Sequence, residues 1–114
     1  MGEFTHFNQH GDAIMVDISK KAETAREAIA EGRISMNQEC FDQLKAGSIG
    51  KGDVLGVARI AGIMGAKKTS ELIPLCHLLS LTKAEIDFEL EDETCSVRTI
   101  CTVRTTGKTG VEME

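Results

Sequence analysis

Over the last third of the chain, apolar and polar residues alternate one by one. Thr82, Ala84, Ile86, Phe88 and Leu90 interleave with Lys83, Glu85, Asp87 and Glu89. After the acidic stretch Glu91-Asp92-Glu93, Cys95, Val97, Thr99, Cys101 and Val103 interleave with Ser96, Arg98, Ile100, Thr102 and Arg104. Successive strand side chains point to opposite faces. A period of two on both sides of a short turn therefore predicts an antiparallel hairpin with one wet face. Cys95 and Cys101 are evenly spaced, and are expected to share a face and to serve packing.

Upstream the period lengthens. In SMNQECFDQLKAG (35–47), Met36, Cys40, Phe41 and Leu44 form an apolar stripe at helical spacing. Ser35 followed by Gln38 fits a capping box, and Gly47 supplies the stop. KAETAREAIA (21–30) has helix-forming composition, with Ala25, Ala28 and Ile29 on one face and Gly32 beyond, so a helix is expected there too. A third helix is predicted after Gly52 with Asp53 as N-cap. Val54, Leu55, Val57, Ala58, Ile60, Ala61, Ile63 and Met64 make it apolar almost all round. Gly56, Gly62 and Gly65 interrupt it at about 1 kcal/mol each relative to alanine. Buried helices tolerate that where another element approaches closely, so this helix is expected to lie centrally, against a sheet or a neighbouring subunit. Pro74 prevents it from continuing unchanged. Residues 1–11 read as a polar arm, and AIMVDIS (13–19) as a short strand leading to a turn at Lys20-Lys21. Helices first and strands after, with no βαβ alternation, indicate an α+β fold.

With 114 residues, the whole chain 1–114 is expected to be a single domain. Aromatic residues make up only 4%, so a core must be assembled from Ile, Leu, Val, Met and Ala. The net charge of −5 argues against nucleic-acid binding, which needs a basic face. Its distribution is more informative. From Lys45 to Ser70, Lys45, Lys51, Arg59, Lys67 and Lys68 stand against Asp53 alone. A local basic patch on an acidic chain suits a small anionic ligand; scattered solvated lysines are the plain alternative. The four cysteines include no CxxC pair, the start is polar, and no run reaches the roughly 18 apolar residues of a membrane span. Reduced thiols in a cytoplasmic protein, with no membrane partner, are expected.

Four places carry candidate chemistry. Lys51 lies between Gly50 and Gly52 just before a helix start, where backbone amides attract anions. It lacks the spacing of a P-loop, and an ordinary loop lysine reads equally well. Leu75-Cys76-His77 follows Pro74, and a histidine suits proton transfer at neutral pH. No second pair has metal-ligand spacing, so a functional or a structural histidine is expected ahead of a metal ligand. Lys67 and Lys68 at a helix C-terminus are explained by the helix dipole alone. Glu112 and Glu114, two apart, would face the same side of an extended segment and could divide acid and base roles.

Taken together, HFNQHGDAIMVDISKKAETAREAIAEGRI (6–34), KGDVLGVARIAGIMGAKKTSELIPLCHLLSL (51–81) and TGKTGVEME (106–114) closely resemble the cyclic pyranopterin monophosphate synthase family, the MoaC proteins of molybdenum cofactor biosynthesis. The resemblance implies a ferredoxin-like α+β fold, an antiparallel sheet with helices packed on one face. It further implies a homohexamer, a trimer of dimers with active sites between subunits. The implied substrate is 3′,8-cyclo-7,8-dihydro-GTP, supplied by an upstream radical S-adenosylmethionine enzyme. The implied reaction is lyase-type: rearrangement to the pyranopterin, closure of a cyclic phosphate and release of pyrophosphate, with no metal or organic cofactor. Carried onto this chain, Leu75, Cys76, His77, Met113 and Glu114 would line the substrate pocket. Lys51, His77 and Glu112 would be catalytic, and Lys67, Lys68 and Arg26 would contact phosphates.

Two departures stand beside the resemblance. The family usually has Cys-His-Pro-Leu where this chain has Cys76-His77-Leu78-Leu79. Family members also continue past the position of Glu114 with a helix bearing Tyr-Asp-Met-Cys-Lys and a Lys-Gly-rich tail. The chain is therefore expected to be a C-terminally truncated member. The rival readings are a nucleotide-binding module without turnover and a purely structural, oligomerising fragment.

Overall fold

A computed structural model of the protein describes residues 9–20, 22–47 and 53–114. The hairpin is present: β2 (Leu81–Glu91) and β3 (Ser96–Gly107) pair antiparallel across a 3-10 turn over Asp92–Thr94. Cys95 departs from expectation. It adopts left-handed backbone (φ 49°) in that turn, so it leaves the strand, and its thiol donates to Gln38 Oε1 at 3.2 Å. Cys101 remains in the sheet, in one row with Ala30 and Ile86.

The expected helix over residues 21–30 is corrected to a strand. Thr24–Ser35 forms β1, a 12-residue strand paired with β3 from Thr24↔Gly107 to Ser35↔Ser96; Lys21 lies outside the described residues. Ordinary residues differ on the helix scale by at most about 0.7 kcal/mol each, and a full ladder of backbone partners outweighs that preference. The pairing also places Glu27 beside Arg104 and Glu31 within reach of Arg98, and both form ion pairs. Sheet order is β1-β3-β2, all neighbours antiparallel. β1 and β2 therefore run parallel with β3 between them, the split βαβ arrangement of an α+β, ferredoxin-like fold.

Among the described residues, three helices occupy the connection between β1 and β2. In α1 (Gln38–Ala46) the N-cap is Asn37, whose side chain accepts from Cys40 N–H at 2.8 Å. Ser35 does not cap, because it ends β1 with its hydroxyl 2.8 Å from that of Ser96. Gly47 closes the helix at φ 66°, as expected. In α2 (Val54–Lys67) Asp53 caps as expected, accepting from Gly56 N–H at 2.9 Å. A Cβ at Gly62 would overlap the Ile86 Cδ1 methyl, so this glycine lets α2 settle onto β2. Arg59 reinforces the contact, donating to Ile86 O at 2.9 Å and lying over the Phe88 ring. Val57, Ile60 and Met64, away from the sheet, remain exposed. α3 (Thr69–Leu72) is one short turn that ends two residues before Pro74.

The helix-facing rows of the sheet are Ala28–Val103–Ala84, Ala30–Cys101–Ile86 and Ile34–Val97–Leu90. The buried core is Phe41, Ala66, Ile86, Val97, Val103 and Val111, aliphatic but for one ring. The opposite face is wet. Its charges pair as Arg33–Glu91 and Arg98–Glu89, both at 2.7 Å, and Lys83–Glu85 at 3.0 Å. Residues 13–19 do not form the expected strand; only Ala13 makes an isolated bridge. Their carbonyls find side-chain partners instead of a ladder, at Val16 and Ser19. No described helix is long and apolar enough to cross a membrane.

Candidate functional site

Two segments far apart in sequence meet at one corner. After α3, Pro74 fixes its own φ and Leu75 takes left-handed backbone at φ 64°. A proline followed by a left-handed residue is the pattern of a type II turn, where glycine is usual. A leucine there costs about 1–2 kcal/mol, and strain of this kind gathers at working sites. The turn redirects the chain so that Cys76 and His77 point back toward the end of β3. From the other side, Val111 is 1% exposed and packs with Ala66 and Val103, so the core anchors the segment that carries Glu112, Met113 and Glu114.

Between them lies a recess of 90 Å³ lined by Leu75, Cys76, His77, Glu112, Met113 and Glu114, among others. All five residues expected to line a substrate pocket are present, as is Glu112. The Cys76 thiol donates to Glu114 Oε2 at 3.8 Å. Burial raises the Cys76 pKa, and the Glu114 carboxylate adds to the rise. Burial likewise pushes the Glu114 carboxyl above its ordinary value. Its Oε1 is buried with no hydrogen-bond partner among the described residues. A half-buried carboxyl with one unsatisfied oxygen is poised to meet a donor on a ligand. Glu112 is exposed and folds over Gly110, where a Cβ would overlap its carboxylate. His77 Nε2 lies 2.7 Å from Val16 O.

The described cationic residues fall outside this recess. Lys51 lies outside the described residues. Lys67 lines a second cavity of 460 Å³ with Ser80, Thr82 and Lys83, and Leu79 borders both cavities. Lys68 is the exposed C-cap of α2 and lines neither. Arg26, half-buried, donates to Gly107 O at 3.2 Å near the end of β3. Sequence reasoning missed Leu79 and Thr109 as lining residues, since neither carries a distinctive chemical group. Among the described residues, no group of three or more His, Cys, Asp or Glu is arranged to hold a metal ion.

Known proteins are similar to this chain over nearly its whole length. A family model described as the MoaC family matches residues 15–114. The cyclic pyranopterin monophosphate synthase of Heliobacterium modesticaldum is 54% identical over 114 residues, spanning 100% of this chain and 72% of the relative. That of Clostridium botulinum is 56% identical over 112 residues, 98% of this chain and 70% of the relative. That of Brevibacillus brevis is 55% identical over 112 residues, 98% and 69%. With its paired segments 75–77 and 112–114 folded into one pocket, and with likeness of this extent, the chain belongs to the MoaC family.

Proposed function

We propose that the chain acts in molybdenum cofactor biosynthesis as a lyase-type cyclic pyranopterin monophosphate synthase. It converts 3′,8-cyclo-7,8-dihydro-GTP to cyclic pyranopterin monophosphate and releases pyrophosphate. The observation that carries this reading is the meeting of Leu75-Cys76-His77 with Glu112-Met113-Glu114 around one recess. Closing the cyclic phosphate forms a bond from a substrate hydroxyl oxygen to the α-phosphorus and breaks the bond to pyrophosphate. The hydroxyl proton goes to a base, and cations offset the charge that builds on the leaving group. His77 and Glu112 are the acid/base groups of this reading, and Lys51 supplies charge from outside the described residues. Lys67, Lys68 and Arg26 are assigned to phosphates.

Volume supports a composite site. Ligand pockets usually enclose about 300–1,000 Å³. The recess alone is 90 Å³, and the adjoining 460 Å³ cavity brings Lys67. The exposed apolar side chains of α2 suit packing against another copy, in keeping with a cytoplasmic homohexamer, a trimer of dimers. The substrate would come from the radical S-adenosylmethionine enzyme acting upstream.

The test is turnover by this chain, its intact mass first confirmed, with pyrophosphate and pyranopterin both assayed. His77→Ala is expected to lower kcat by about 10²–10⁴ while leaving the unfolding midpoint nearly unchanged. Binding of substrate without pyrophosphate release would reduce the role of these residues to nucleotide binding.

A further inference from the structure

We propose that the backbone carbonyl of Val16 is a positioning group for His77. It holds the ring as the Nε2–H tautomer and leaves Nδ1 as the proton-accepting nitrogen of the site. The kinetic consequence rests on the function proposed above; the tautomer assignment does not.

The segment from Ala13 to Ser19 forms no ladder, yet it is tied down at two points. Val16 O meets His77 Nε2 at 2.7 Å, 61 residues away in sequence, and Ser19 O accepts from Lys108 Nζ at 3.4 Å. Between them the Asp17 carboxylate accepts from Ser19 N–H at 2.9 Å and closes the turn. The segment thus runs as a strap from the Cys76-His77 loop to the end of β3.

A carbonyl oxygen offers lone pairs and no proton. A contact of 2.7 Å is attractive only if Nε2 carries the hydrogen; the other tautomer would set two lone pairs against each other. A neutral imidazole holds one N–H, so Nδ1 carries the free lone pair. Among the described residues Nδ1 has no hydrogen-bond partner. Cys76, Glu112 and Glu114 line the same recess, and none of them holds the ring. The orientation of the imidazole is therefore set by a backbone group outside both segments that form the recess.

Ligation at Cys40 allows the test on the full chain. A synthetic 1–39 thioester is joined to a recombinant, nitrogen-15-labelled 40–114 fragment, in which His77 is the only histidine. The native chain is compared with one in which the Val16–Asp17 amide is an ester, which weakens the Val16 carbonyl as an acceptor. An ester at Asp17–Ile18 serves as control. Long-range proton–nitrogen correlation at a pH where the ring is neutral should show protonated Nε2 and bare Nδ1 in the native chain and the control. The Val16–Asp17 ester should mix the tautomers and lower kcat by about tenfold with KM unchanged. A bare Nε2 in the native chain, or an ester that alters neither tautomer nor kcat, would overturn the assignment. A native chain with protonated Nε2 that never releases pyrophosphate would sink the proposed reaction and leave the role of Val16 standing.

Discussion

Across the sheet, backbone groups and charged side chains find their partners; at the Cys76–Glu114 corner one carboxylate oxygen does not, and the backbone is strained. β1 pairs with β3 along its whole length, and Glu27, Glu31, Glu89 and Glu91 on the wet face each meet an arginine. At the corner, Leu75 sits in left-handed backbone and Glu114 keeps a buried oxygen without a partner. Both features cost stability, and the core around Val111 holds them in place. Under the proposed function, the contrast separates what folds the chain from what serves the site. Consistency at every level specifies a structure, and departures from it gather where a ligand is met.

Substitutions in the core, at the corner and on the wet face test that contrast. Phe41→Ala removes the largest fully buried side chain among the described residues and should cost about 3–5 kcal/mol in denaturant unfolding. Where the variant remains folded, affinity for substrate should persist; a loss limited to binding would mean that Phe41 belongs to the site rather than the core. Gly62→Ala forces the Ile86 methyl to move at about 1–3 kcal/mol, offset by about 1 kcal/mol of helix propensity, so a net loss of up to about 2 kcal/mol is expected. A net gain in stability would show that α2 has slack above the sheet.

Glu114 tests the corner itself. Burial favours its neutral acid, so its folded pKa stands above the unfolded one. Its contribution to stability is complete below the unfolded carboxylate range and is lost as pH rises through the raised folded pKa. Glu114→Gln should flatten that part of the stability–pH curve; an unchanged slope would show that the carboxyl is well solvated. The same variant should speed alkylation of Cys76, because the nearby carboxylate helps keep the thiol protonated. Arg98→Ala should have the smallest effect. It breaks ion pairs to Glu31 and Glu89 on the wet face, and exposed pairs are screened by water and salt. The midpoint should move little, and less still at high salt.

Legibility followed the range of the interactions. The hairpin, the Gly47 and Asp53 caps and the glycine-bearing helix were readable, because each depends on neighbours a few residues away. The Ser35 cap and the helix expected over residues 21–30 were misread for the opposite reason. Their helix-forming composition is local, and the partner strand that overrides it lies more than sixty residues on. The candidate site divided in the same way. Cys76, His77, Glu112 and Glu114 were recognisable as residue types in recognisable motifs, whereas Leu79 and Thr109 became pocket walls only through folding.

Sequence alone determined the α+β class, the family and the set of candidate side chains, because periodicity, caps and motifs are written in adjacent residues. Tertiary structure alone decided that β1 is a strand, that two cavities meet at Leu79, and that Val16 faces His77. Those outcomes depend on which distant backbone groups come within hydrogen-bonding reach, and no local pattern encodes that distance.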